Sequence, residues 1–442
     1  MNFNRKGWLQ KYTAFREALP FDNDLPSAGV KVLEETGLHH ELDEAIYYFL
    51  QPTGLLYGFP MGLPFPTIDY PGARFMDPRE RVHLIFLESL FACLVADRHY
   101  LLSGLSDERD HFQPALHCAV EYFTHASQSR AARPWALLRW PQSLRRQDRG
   151  QRFEQEIRRR LGQGTEAFQL PGIYYNSFLF LDLHSCMMWQ RRMLVEPERE
   201  AEHLQQLSQQ QLQQRQLLIR LMIAAATSSG EVVPAERRLI QWFLKSSGLS
   251  RNRVAVLRRE LKRGITLEEI HIQPAPWLVR RFMLEATLMT ILVDRDLSAE
   301  EERFVMEVVG KLELWEEELN QSMVALEVFI LNQEDSLPAF KDRPLIFHLS
   351  ENLRRQATTA IRKNLHRVVT EIRETKTLYN LLIKSTHTSL TPEEKSKVRQ
   401  QLIDVLKTIP ALAIFALPGG GIILPVLIKL LPFNLLPSAF ED

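Results

Sequence analysis

Three carboxylates are spaced as a metal site would need them. Ser229-Gly-Glu-Val-Val-Pro-Ala-Glu236-Arg-Arg-Leu aligns with Asp294-Arg-Asp-Leu-Ser-Ala-Glu-Glu301-Glu-Arg-Phe at a fixed offset, Ser229 on Asp294 and Glu236 on Glu301. Carboxylates gathered from two such turns suit a hard divalent cation, which prefers oxygen ligands, and the candidates are Glu236, Asp294 and Glu301. The same residues equally suit plain helix starts. Pro234 fits a first helical position, Ser298 with Glu301 reads as a capping box, and an acid in a first turn complements the helix dipole. A second kind of chemistry is cationic: between Arg130 and Arg160 lie ten arginines, Arg145, Arg146, Arg158, Arg159 and Arg160 among them, against the acids Asp148, Glu154 and Glu156. With Trp135 and Trp140 interleaved, this is either a surface for phosphates or anionic lipid or a solvated helical face. No recognised nucleic-acid module surrounds it, so binding to a specific nucleic-acid sequence is not expected. His39 and His40 with Glu44, and Glu121 with His125, put ligand types one helical turn apart but lack the paired Glu-x-x-His of a di-iron bundle. They read as exposed or capping residues.

Other chemistry lacks its scaffold. There is no G-x-x-x-x-G-K-[ST], G-x-G-x-x-G, G-x-S-x-G or H-E-x-x-H, and Gly419 to Gly421, set among prolines and apolar residues, is no phosphate loop. No enzymatic activity is expected. The chain has 442 residues, 45% hydrophobic and 24% charged, which fits about three globular domains. Fifty-four Lys+Arg balance fifty-four Asp+Glu, so no global field selects a partner. Cys93, Cys118 and Cys186 form no C-x-x-C pair, which argues against a disulfide framework or a cysteine zinc module and fits a reducing compartment. The first residues, Met1 to Arg16, contain no apolar core of signal-peptide length, so no signal peptide is expected.

The elements that must position these residues are helices. Apolar residues recur at three- and four-residue spacing and alternating β-branched runs are scarce, so the predicted fold class is all-α. A first helical domain is expected over 1–193. Within it the Pro- and Gly-rich stretch from Gln51 to Pro78 is irregular, and a buried helix follows through Val82, Leu84, Ile85, Phe86, Leu90, Phe91, Leu94 and Val95. Residues 194–216, first acidic and then Gln-rich, read as an exposed helical connector. In 217–335 each acidic turn follows an apolar helix, Leu217 to Ala226 or Phe282 to Val293, and opens another, with Leu239, Ile240, Phe243 and Leu244 or Phe304, Val305, Val308 and Val309 on its apolar face. This is a duplicated helix–turn–helix. It resembles the TerB-like domain first named from tellurite-resistance proteins. The resemblance implies metal binding by the turn acids, although Ser229 stands where that family tends to have Asp.

Residues 345–442 read as basic helices followed by an apolar end. Arg354, Arg355, Arg362, Lys363, Arg367 and Arg373 run along the first helix, and Thr391-Pro392-Glu393-Glu394 marks another helix start with Thr391 as N-cap. Ile409 to Ile428 carries no charge, which just meets the length needed to cross a bilayer. Pro410, Pro418 and Pro425, with Gly419, Gly420 and Gly421 in the middle, forbid a straight helix. A kinked membrane helix or a shallow hairpin is expected, the alternative being a hairpin buried inside the protein. Lys395, Lys397, Arg399 and Lys407 precede the segment and Lys429 alone follows it, so the large N-terminal part is expected in the cytoplasm.

From Leu390 the succession of Pro410, Pro418, Pro425, Lys429, Pro432 and Pro437, closed by Leu436-Pro-Ser-Ala-Phe440, resembles the membrane-proximal region of the LETM family. Those are leucine-zipper, EF-hand-containing transmembrane proteins of the mitochondrial inner membrane, with bacterial relatives. The resemblance implies membrane attachment and, in the mitochondrial members, cation/proton exchange and ribosome contact. Those members place an acid where Gly421 stands, and an ion path needs a protonatable group. The ribosome-contacting part of the family continues past the position of Asp442. A long helical N-terminal part, a TerB-like unit and a LETM-like tail together resemble bacterial LETM-related proteins that carry the label biofilm-associated. The expectation is thus a non-enzymatic protein at the cytoplasmic face of the inner membrane, a scaffold or cation-responsive module, whose partners are membrane lipid, a second copy of itself, and a ribosome or another protein. The alternatives are an oligomeric LETM-like cation/proton transporter and a soluble helical interaction protein.

Overall fold

The structure, a computed structural model, describes residues 3, 5–21, 41–65, 68–72, 76–102, 111–131, 149–162, 177–230, 232–293, 299–333, 365–387, 391, 393–394, 397–398, 401–402 and 405. Among them every regular element is helical, in agreement with the expected fold class. Contacts divide the chain into two compact units, residues 1–27 with 37–312 and residues 28–36 with 313–442.

The first unit contains α1 (Trp8–Ala18), α2 (Glu41–Leu50), α3 (Pro78–Leu102), α4 (Phe112–Ala131), α5 (Arg149–Leu161), α6 (Leu179–Val195), α7 (Glu200–Thr227), α8 (Pro234–Ser246), α9 (Arg251–Arg263), α10 (Trp277–Leu292) and α11 (Ala299–Lys311). Its core forms where helices apolar on every face are enclosed by amphipathic ones. α3 starts on Asp77, whose Oδ1 accepts the Glu80 N–H at 2.8 Å, and is buried continuously from Val82 to Asp97. α10 is buried from Arg281 to Leu292. α3 packs on α6, α6 on α7, and α7 on α10. The predicted irregular stretch after Gln51 begins as two 3-10 turns, Gln51–Thr53 and Leu55–Tyr57, and Leu55, Leu56, Tyr57 and Phe59 are core residues. Gly58, between them and the body, has φ +74, and a Cβ there would stand 2.8 Å from the Phe243 ring.

The expected limit at 216 falls inside one helix, whereas that at 193 lies close to the end of α6 at Val195. α7 runs unbroken from Glu200 through the rest of the expected connector and into the duplicated unit. Its first half is not an exposed spacer, because His203, Leu207, Gln211 and Arg215 are buried at four-residue intervals, one stripe of a helix laid on the body. The glutamines pointing away from that stripe gave the segment its polar composition.

The duplication itself appears in the helix ends. α7 ends at Thr227 and α10 at Leu292, α8 spans 234–246 and α11 spans 299–311, and α9 starts at Arg251 where α12 (Glu316–Gln333) starts at Glu316. All four correspondences keep the offset read from Glu236 and Glu301.

The second unit contains α12, α13 (Leu365–Glu374) and α14 (Lys376–His387). Val368, Ile372, Leu378 and Leu382 are its buried apolar residues on the last two helices, which pack together. The expected start at Thr391 is present: its Oγ1 accepts the Glu394 N–H at 3.3 Å and Glu394 Oε2 accepts the Thr391 N–H at 3.0 Å. The expected membrane segment, with Pro410, Pro418, Gly419, Gly420, Gly421, Pro425, Lys429, Pro432 and Pro437, lies outside the described residues. Among those described, no helix is long and apolar enough to cross a membrane.

Candidate functional site

Glu236 and Glu301 both occupy the third position of their helices, and both are 1% exposed. Glu236 Oε2 accepts the Val233 N–H at 2.9 Å, so the carboxylate turns back on the start of α8. Valine has no side-chain acceptor to return the bond, and Pro234 removes one N–H that would need one. Asp294 and Ser298 lie outside the described residues. Among the described residues no group of three or more His, Cys, Asp or Glu is placed to hold a metal ion. Of the set, Glu236 and Glu301 are the described members, and Glu236 stabilises a helix start.

The arginine-rich stretch is placed otherwise than expected. Arg145 and Arg146 lie outside the described residues. Arg158 is half-buried and donates to the Phe3 carbonyl at 3.3 Å, and Arg159, exposed, pairs with Glu156 at 2.7 Å. Arg160 does not belong to a basic surface. It is fully buried, bonded to Glu156 at 2.8 Å and to Asp182, because the amphipathic α5 turns it inward with Phe153, Ile157 and Leu161. His125 pairs with Glu200 at 3.2 Å rather than with Glu121, which faces His117 and Arg149.

Asp182 is the centre of a buried ionic cluster that sequence reasoning did not find. It accepts from Arg160, from Arg215 Nη2 at 2.6 Å and from Gln211 Nε2 at 2.9 Å, while Arg215 Nη1 also donates to the Ser247 carbonyl at 2.8 Å. Asp182 thus ties α5 and α7 to α6, and Arg215 adds the end of α8. Burial works against the charge of both arginines. For Arg160 the neighbouring Asp182, Tyr122 and Glu156 outweigh it and raise the pKa; for Arg215 burial prevails over Asp182 and lowers it.

Three further clusters repeat the design. Glu88 on α3 takes Arg16 and the Tyr70 hydroxyl, the latter at 2.9 Å. Asp97, whose pKa burial raises against the pull of Arg191, meets Arg191 at 2.6 Å and Gln190 at 3.1 Å. Tyr47 on α2 donates to Glu285 and accepts from Arg281, both on α10, with the guanidinium 4.2 Å from the Tyr47 ring centroid. A signal existed for three of the four: a charge set in an apolar run, as in Leu179-Phe-Leu-Asp182-Leu, Phe86-Leu-Glu88-Ser-Leu and Arg281-Phe-Met-Leu-Glu285-Ala.

The reactive side chains of the core are held out of working range. Burial pushes the Cys93 and Cys186 thiols up and the imidazoles of His83 and His184 down to about 4. At neutral pH these four groups are therefore uncharged.

Residues 178–323, from the start of α6 through the duplicated unit, match a family described as a protein of unknown function, DUF533. Residues 390–442, from the Thr391 cap to the last residue, match a family described as LETM1-like, RBD. The chain carries a LETM1-like domain. That domain takes in the proline-ordered stretch on which the resemblance rested, and the DUF533 match takes in α6, the whole of α7 and the duplicated helices as far as residue 323. No curated protein and no solved structure matches the chain.

Proposed function

We propose that this protein is a non-enzymatic, LETM-like scaffold at the cytoplasmic face of the inner membrane, anchored by residues 409–428 and presenting its helical body to a ribosome or another protein. The observation that carries the reading is the LETM1-like match over 390–442, which contains the uncharged segment and the lysines before it. Membrane attachment follows from an apolar stretch of spanning length, and its orientation from the cations on the N-terminal side. The use of the core's charges to join helices supports a presenting rather than a catalytic role. A divalent cation at Glu236 and Glu301, with Asp294, would make the scaffold cation-responsive by joining the two halves of the repeat.

The test is membrane fractionation with carbonate extraction of the full chain and of a truncation ending at Lys407. Retention of the full chain and release of the truncation is the expected result. If the full chain is soluble and the truncation loses helix content, the tail is core and the reading falls.

A further inference from the structure

The two halves of the repeat carry opposite charge. Residues 234–263 hold nine bases, Arg237, Arg238, Lys245, Arg251, Arg253, Arg258, Arg259, Lys262 and Arg263, against Glu236 and Glu260. The equivalent residues 299–328 hold nine acids against Arg303 and Lys311. The fold is duplicated and its charge inverted, in a chain whose total charge is zero.

On α9 the cations form a face. Leu257 and Leu261 are buried and Arg251, Arg253, Arg258, Arg259 and Lys262 are exposed. Arg251, Arg258 and Lys262 fall at seven- and four-residue steps, one ridge along the helix, and Arg220 takes up the helix's one acid, Glu260, at 3.2 Å. Among the described residues none of these three makes an ion pair. Arg251 and Arg253 also sit in the first turn, where a cation opposes the helix dipole.

The matching turn of the second half breaks two local rules. Glu313 has φ +52, the left-handed conformation that its counterpart Gly248, at φ +65, adopts without a Cβ. Trp315 stands where Ser250 caps α9, yet indole offers the helix no acceptor, and the residue is 78% exposed. Its N–H is taken at 2.6 Å by Glu318. An exposed tryptophan beside the acids Glu313 and Glu316 is the kind of anchor a partner's arginines cover by cation–π contact and ion pairing.

We propose that the α9 ridge of one copy docks on the acidic Trp315 turn of a second copy. The two surfaces differ, so copies can be matched reciprocally in a two-fold pair or head-to-tail in a ring or filament. Charge complementarity within one sequence selects a second copy over an RNA or an anionic membrane, either of which would match the basic face alone. The absence of a large exposed aromatic or aliphatic face on α9, where Val256 is 38% exposed, also argues against lipid insertion.

The test is sedimentation velocity on the full chain in non-ionic detergent at low and high salt. The wild type is expected to associate at low salt and dissociate as salt rises. R251E/R258E/K262E and E313R/E316R are each expected to lose association, and their equimolar mixture to regain it, because each reversed surface then meets its complement. Trp315→Ala, at an exposed position that leaves the core intact, is expected to weaken association at least tenfold. The proposal is overturned if the wild type is monomeric at low salt, if the mixture stays dissociated, or if R251E/R258E/K262E still associates while losing binding to an RNA duplex or to anionic vesicles.

Discussion

Asp182 neutralises two buried guanidiniums, so its loss removes more than its own hydrogen bonds. Asp182→Ala leaves Arg215 charged and uncompensated in the core and takes one of two carboxylates from Arg160, which should cost about 3–5 kcal/mol of stability in denaturant unfolding. Glu156 remains for Arg160 alone. His83 and His184 give a pH dependence of definite sign. Their folded values near 4 lie below the ordinary 6.5, so between those limits the unfolded chain binds more protons. Stability is complete above about pH 6.5 and falls as pH drops toward 4, by about 1.4 kcal/mol per pH unit for each histidine. Thermal midpoints from pH 7 to 4.5 should follow that slope, and His184→Gln should flatten it. A midpoint unmoved between pH 6.5 and 5 would refute burial of these rings as neutral groups.

Among the elements, the tight turns are the sensitive points. Gly58→Ala places a methyl group against Phe243 at a positive φ, and a destabilisation of about 1–3 kcal/mol is expected in thermal unfolding. Glu313→Gly should act in the opposite direction, raising stability by about 0.5–1 kcal/mol by relieving the left-handed glutamate. The repeat was legible because its turns share residue types at one spacing, and helix ends followed from that register. The role of α7 was not legible: composition averages over its faces, and its buried stripe, His203 to Arg215, is polar but for Leu207. Glutamine and arginine there are held by Asp182, a partner about 30 residues away that periodicity alone does not reveal. For the same reason Arg160 was read with its exposed neighbours. The candidate site was half legible, since the equivalence of Glu236 and Glu301 was visible but their burial was not.

At the scale of the whole molecule, the first unit couples segments distant in sequence: Tyr47 of α2 bonds to Glu285 of α10, and Glu154 of α5 accepts the Leu9 N–H at 2.9 Å. Cutting the chain at 193 or 216 should therefore yield no stable fragment, whereas 1–312 should fold; limited proteolysis that leaves a resistant core ending near residue 312 is the expected check. The same long-range contacts set a timetable for synthesis. A ribosome releasing this chain from its N-terminus exposes α1 to α6 well before α10 emerges to cover α7 and engage Tyr47. The apolar faces of the early helices must wait, unsatisfied, for the last third of the unit. Such a nascent chain completes part of its core late and passes through a long interval of vulnerability, so its yield in the cell should depend on chaperone capacity more steeply than its final stability would suggest.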